Sequence, residues 1–297
     1  MHFSKIIHVQ LHQLINLVLL LLVGNYVGHI YQSWVAILAV ILITIAIEHL
    51  FIFVKYRAIK YFSYSSATTA IGVLLMMLSP HLWVLMIVIT LGLFQKHFVQ
   101  FEGKHFFNPS NFALIMGLLL FYNDAHMVLG QLGNELWLQV SIALTAIAIL
   151  YRANRWIIPL VFISSYLILQ YYLVVINDPL LIQESINERF YSVSFLVFIV
   201  FMLTDPKTTP DGALQQALFA LILTLVATLL DRVNGFRVQH LFMALFLLSL
   251  FVPIITQWNK TKRLKILLIL TAVFFVLALG VIISIEGKVP YYFEMNS

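Results

Sequence analysis

The sequence predicts an all-α fold, a polytopic transmembrane helical bundle. Three observations carry that prediction. Mean hydropathy is +0.99, with 62% hydrophobic residues and only 10% charged, against about 25% charged in soluble domains. Apolar runs of roughly 20 residues, the length a helix needs to cross a bilayer, recur from one end to the other. No stretch between them is long enough for a separate soluble domain, so residues 1–297 are expected to form a single membrane domain. The net charge of +5 does not point to nucleic acid, because the basic residues sit at the ends of apolar runs, as membrane topology requires. With no Cys, disulfides and thiolate metal sites are excluded.

About eleven apolar segments follow in order, at roughly 11–31, 34–54, 66–79, 82–97, 109–122, 134–151, 156–176, 190–204, 213–230, 239–257 and 264–285. The third, fifth and eighth are short for a full crossing, as half-helices would be. The opening MHFSKIIHVQLHQL lacks a small-residue cleavage site after its first apolar run, so that run is expected to be a retained span. The seventeen Lys and Arg residues test orientation. With the N-terminus in the cytoplasm, thirteen fall on the cytoplasmic side. Only Arg189, Arg232, Arg237 and Lys288 fall on the other. The expected topology is N-terminus cytoplasmic and C-terminus extracytoplasmic.

The third segment ends LLMMLSP (74–80) and the eighth ends IVFMLTDP (199–206). Each is preceded by a Ser-containing start and followed by a long span and a basic, Gly-containing return, QKHFVQFEGKH (95–105) or DRVNGFRVQH (231–240). Five spans separate the two blocks, and an odd offset means opposite orientation. Two inverted five-span repeats follow, one over about 11–122 and one over about 134–257, with an extra span at about 264–285. Such repeats place binding sites near the midplane at their interface.

Two polar interruptions mark where that site is expected. FEGKHFFNPSNFALIMG (101–117) and FMLTDPKTTPDG (201–212) break apolar runs with Asn, Asp, Pro, Ser, Thr and charge. At membrane depth such breaks persist only where protein or a water-filled cavity shields the backbone. Asn108, Pro109, Ser110 and Asn111 read as the capped start of the fifth span. A helix N-terminus within the membrane also offers free N–H groups and partial positive charge to an anionic or carbonyl-rich ligand. Thr204, Asp205, Lys207, Thr208 and Thr209 read either as a capping loop for the next helix, with Lys207 reaching the interface, or as the opposite wall of one cavity. Glu48 and His49 read as a pair near the headgroups within reach of Lys55 or Arg57, or as a proton or cation relay. His97 and His105 flank the return before the fifth span. Their spacing demands neither metal nor haem, and no metal site is expected. No nucleotide fingerprint, P-loop, Ser-His-Asp order or HExxH occurs, so no self-contained catalytic motif is present.

Several strings together resemble the NqrB/RnfD family, the flavin-carrying membrane subunits of Na+-translocating NADH:quinone reductase and of Rnf complexes. They are FSYSSATTAIGVLLMMLSP, FQKHFVQFEGKHFFNPSNFALIMG, RANRWIIPLVF, FMLTDPKTTPDG and LFLLSLFVPIITQW, over roughly residues 55–257. The Phe-Asn-Pro and Thr-Asp-Pro pieces are the most specific. The resemblance implies a bacterial inner-membrane subunit of a larger redox complex, with other subunits or a periplasmic or soluble protein as partners. It also implies a flavin. The family attaches FMN to a Thr in an S-x-A-T-type motif within an extracytoplasmic insertion. Here the corresponding residues 122–137 contain neither Thr nor Ser, so a covalent FMN is not expected there. A superficial version of that motif, Ser65-Ser66-Ala67-Thr68, falls on the cytoplasmic side instead. The expected occupant is therefore a non-covalent flavin (FMN or riboflavin) or a quinone, with Ser66 and Thr68 added to the candidate binding residues. Two other readings suit the same sequence: a transporter or channel for a small solute or ion, and a cofactor-free membrane anchor for a partner protein.

Overall fold

The computed structural model describes residues 3–28, 30, 32–57, 63–127, 136–176 and 183–256, with single positions at 273, 276 and 280. The eleventh apolar segment, 264–285, lies outside the described residues apart from those three positions. The described chain is a helical bundle. Its long helices are α1 (Phe3–Gly28), α2 (Trp34–Tyr56), α4 (Leu82–Phe98), α6 (Leu136–Ala153), α7 (Ile157–Val175) and α10 (Ala213–Asn234). Shorter ones are α3 (Tyr64–Met76), α5 (Pro109–Leu120), α8 (Gln183–Phe190), α9 (Val193–Val197), α11 (Gln239–Ser249) and α12 (Val252–Thr256). Among the described helices, α2, α7 and α10 are each long and apolar enough to cross a membrane, and α8 with the α9 segment would make one span bent by 56°.

The helical fold carries one short ladder, because α3 stops at Met76 and the chain turns extended as β1 (Met77–Leu78). It pairs antiparallel with β2 (His126–Met127), Met77 opposite Met127. The run LLMMLSP therefore ends as a strand, and the ladder ties the end of α3 to the segment just past α5. The eighth apolar segment is likewise not one α-helix. Ser192 caps α9 by accepting from the Phe195 N–H at 3.1 Å, and after five residues the chain widens into a π-helix, Phe198–Leu203. π-turns are often found at functional sites.

Burial sorts the helices. α2 shows lipid-type side chains such as Val35, Leu38 and Leu42 outward, and α10 shows Leu214 and Leu225. By contrast, residues 66–76 of α3 are buried except for Thr68, and α11 is buried from His240 through Ser249. The two helices are apolar on every side because protein surrounds them. Small residues let α5 join them closely. A Cβ on Gly92 of α4 would lie 2.5 Å from the Pro109 carbonyl oxygen, and one on Gly72 of α3 would lie 2.8 Å from Ser110 Oγ. Close backbone approach at small residues is the usual packing device between membrane helices.

The return between α4 and α5 is a tight hairpin. Phe101 and Lys104 exchange backbone hydrogen bonds of 2.9 and 3.0 Å. Glu102 and Gly103 both take positive φ, 48° and 77°, as a type I′ turn requires. The chain is thereby aimed back into the bundle at Asn108.

Candidate functional site

The two polar breaks meet. Asn108 caps α5 through its side-chain oxygen, which accepts from the Asn111 N–H at 3.1 Å, with Pro109 at the first helical position. The same side chain donates from Nδ2 to Asp205 Oδ2 at 3.3 Å, across 97 residues of sequence. Asp205 in turn accepts from the Lys207 N–H at 3.0 Å through its other oxygen, a short turn that a Pro at 206 permits. One carboxylate thus joins the start of α5 to the chain leaving the π-helix.

Between them lies a partly open cavity. Its walls include Thr68, Thr69 and Gly72 of α3, Asn108 and Ser110 of α5, and Asp205 and Lys207. Val197, Phe201 and Met202 supply an apolar side, and Gln10 and Gln13 of α1 approach from outside. The space open to water centres is about 60 Å³, room for a handful of waters at roughly 10–15 Å³ each. His105 also lines it. Burial, helped by the positive charges of Lys207 and Lys96, pushes its imidazole down to about 3, so the ring is neutral at ordinary pH.

The expected residues divide into two groups. Asn108, Pro109, Ser110, Asp205, Lys207 and Thr68 line the cavity. The remainder support it. Asn111 donates to the Phe242 carbonyl of α11 at 3.1 Å, fixing α5 to the buried centre. Thr204 donates to the Val200 carbonyl at 2.6 Å within the π-helix. Thr208 and Thr209 both donate to the Asp205 carbonyl, at 3.4 and 2.8 Å. Arg155 holds the same loop from below, donating to Thr209 Oγ1 at 3.1 Å and to the Pro206 carbonyl at 3.1 Å, with an ion pair to Asp211. Ser66 is buried and bonded to the Ser63 carbonyl at 2.8 Å. Thr68 Oγ1 donates to the Ser65 carbonyl at 2.9 Å.

Sequence reasoning missed Gln10 and Gln13, which carry no motif and enter the wall only because α1 packs against α3. Ser65, the first residue of the Ser65-Ser66-Ala67-Thr68 string, also lines the cavity. Sequence reasoning also mispaired Glu48. The partners of Glu48 are Lys96 and His97 of α4, deep in the bundle, whereas Lys55 binds the His97 carbonyl and Gln100. Among the described residues, no group of three or more His, Asp or Glu side chains is arranged to hold a metal ion.

A bundle of apolar helices enclosing a polar cavity between two interrupted spans defines the class: a polytopic helical membrane protein. Residues 120–265, just under half of the chain, match the model of the NQR2, RnfD, RnfE family, and over that stretch the chain is an NqrB/RnfD-like membrane protein. The match supports a membrane subunit of Rnf- and Nqr-type complexes. It includes Asp205 and Lys207 but not Asn108. No curated protein matches the chain.

Proposed function

We propose that this chain is the electron-transfer membrane subunit of a multi-subunit redox complex, holding a non-covalent flavin or a quinone in the cavity between Asn108 and Asp205. The observation that carries the reading is the joining of the two breaks over one polar cavity. Its lining suits a ring with a carbonyl-rich edge. Gln10, Gln13, Asn108 and Ser110 supply amide and hydroxyl partners, Lys207 a cation, and Phe201 and Met202 an apolar face. At about 60 Å³ the space takes such an edge rather than a whole flavin, so full seating calls for the flexible Gln10, Gln13 and Met202 side chains to swing aside. A bound flavin or quinone would supply the redox chemistry. The chain's own part is to orient the polar edge and hold a neutral imidazole and a cation beside it.

Inverted repeats fit the same reading. α3 breaks into a strand ahead of the long α4, and α9 into a π-helix ahead of the long α10. Each half also buries an ion pair that reaches the end of its third long helix. Glu48 meets Lys96 at the end of α4, and Arg189 meets Asp231 near the end of α10. The reading includes about eleven spans, an inner-membrane location with the N-terminus cytoplasmic, and redox subunits as partners.

The test is ligand content and affinity. Protein purified in detergent is expected to carry flavin or quinone into an organic extract, or to quench riboflavin fluorescence on titration. Asp205→Ala should weaken that binding by roughly ten- to a hundredfold, since a lost charged hydrogen bond costs about 1.5–3 kcal/mol. Folded protein that binds neither, but moves a small solute into liposomes, would make it a transporter.

A further inference from the structure

Positive charge converges on the cavity between the two breaks. Two helices begin at its wall, since Ser65 is the second residue of α3 and Pro109 the first of α5. Each helix start carries a partial positive charge, and Ser63 gives α3 no side-chain cap that would offset it. Lys207 adds a full charge within electrostatic reach of His105. Behind Ser65, Lys96 and Glu48 cancel as an ion pair. His105 lines the cavity, is only 7% exposed, and has no hydrogen-bond partner among the described residues. Buried polar groups normally find a partner, and the space open to this imidazole is the cavity.

The hydroxyls of the wall are already oriented. Thr68 and Thr69 donate to the Ser65 carbonyl at 2.9 and 2.8 Å, so each offers the cavity a lone pair and no hydrogen. Ser65 is the reverse case. Its Oγ accepts from Lys96 Nζ at 2.8 Å, which leaves its own hydrogen for the cavity. Asp205 takes one bond at each oxygen, from Asn108 and from the Lys207 N–H, and keeps further lone pairs.

A small cation would meet Lys207 and two helix starts. A bare oxyanion such as sulfate would meet the Asp205 carboxylate with no hydrogen to offer it. An oxyanion that still carries a hydrogen satisfies both sets of groups. At about 60 Å³, the space holds roughly four to six waters at 10–15 Å³ each, enough for the four oxygens of one tetrahedral ion. We propose that the cavity binds a phosphate group that retains a hydrogen. Ser65, Lys207 and His105 donate to its bare oxygens, and Asp205 accepts from its O–H. Inorganic phosphate keeps such a hydrogen at any ordinary pH. A phosphate monoester has largely lost it above about pH 6, and a phosphodiester headgroup has none. The inference does not rest on the redox reading, since an ion of this size needs none of the side-chain movements that a ring requires.

The experiment is isothermal titration calorimetry on the full chain in detergent, in a phosphate-free buffer slightly above neutral pH. Wild type is expected to bind inorganic phosphate and to bind sulfate at least roughly tenfold more weakly, the equivalent of one charge-assisted hydrogen bond. Asp205→Asn should erase that preference, weakening phosphate and strengthening sulfate until the two bind alike. A merely loosened wall would weaken both. Lys207→Gln, at an exposed position, tests the site without disturbing a buried group and should weaken both ions by roughly tenfold. Glycerol 3-phosphate separates the two sources. Weaker binding than the free ion assigns the site to inorganic phosphate. Tighter binding that grows as the pH falls towards about 6, where the monoester regains its hydrogen, assigns it to a monoester. Equal affinity of wild type for sulfate and phosphate overturns the proposal, as does monodisperse wild type that gives no heat with phosphate. The titrations contain no flavin or quinone, so failure here leaves the redox reading to its own test.

Discussion

Asp205 is bonded from two sides, by the Asn108 amide and by the Lys207 N–H. Replacing Asn108 by Ala removes the α5 cap and one of those donors together. The expected loss is about 1–3 kcal/mol of stability, combining a typical cap with a buried acceptor left unmet, measured as a lower urea midpoint in detergent. Arg189 is a second residue on which much depends. It is 1% exposed, donates to both oxygens of Asp231 at 2.7 and 3.0 Å and to Tyr166 at 2.9 Å, and sits 3.4 Å from the Phe236 ring centre. Arg189→Met leaves Asp231 with His240 but without its guanidinium. The expected cost is about 3–5 kcal/mol, read as loss of monodisperse protein. His105 supplies a pH effect. Its folded value near 3 lies below the ordinary 6.5, so between these values the unfolded chain binds a proton that the folded chain does not. Stability therefore falls as pH drops from about 6.5 towards 3. His105→Gln should flatten that limb in a pH series of thermal melts, and an unchanged slope would sink the assignment.

At the scale of elements, composition located the apolar segments well, because hydrophobic length reports lipid thickness directly. The helices α4, α5, α7 and α10 start within one residue of their expected positions. What hydropathy could not convey is how segments end inside protein. Met77 and Leu78 look like more helix, and only pairing with His126 and Met127 makes them a strand. Phe198–Leu203 looks like helix too, and nothing within those six apolar residues announces the widening into a π-helix. The polar α8, QESINERF, was hidden because a short charged helix has no apolar period long enough to read. The breaks themselves were legible, since Asn-Pro and Asp-Pro survive within an apolar run only where the freed backbone is sheltered from lipid. That they face one cavity was expected from the repeat pattern, but the Asn108–Asp205 bond joining them was not, and neither were Gly72 and Gly92. Gly92→Ala would set a methyl 2.5 Å from a backbone oxygen and must push α5 away from α4. The expected outcome is at least tenfold weaker riboflavin binding and a lower melting temperature. Gly103→Ala, with nothing within 4 Å but a φ of 77°, should cost only about 1–2 kcal/mol and leave binding nearly intact.

For the whole molecule, occupancy and stability are linked. A ligand that binds only the folded bundle should stabilise it by about 2.7 kcal/mol at a hundred times its dissociation constant. A rise in melting temperature with riboflavin or a quinone, absent in Asn108→Ala, would tie the effect to this cavity. No shift with any such ligand, from protein of good homogeneity, would favour the reading as an anchor. The central helices carry one more consequence. α5 has 12 residues and α11 has 11, about 18 Å and 16 Å of helix, against roughly 30 Å of hydrocarbon. Neither length can satisfy the bilayer by itself, and neither helix is surrounded by lipid once assembled. During synthesis these pieces would be poor candidates for one-by-one release into the membrane. They must enter alongside their longer neighbours, α5 with α4 and α11 with α10, so the biogenesis of this protein is a matter of inserting hairpins rather than single helices.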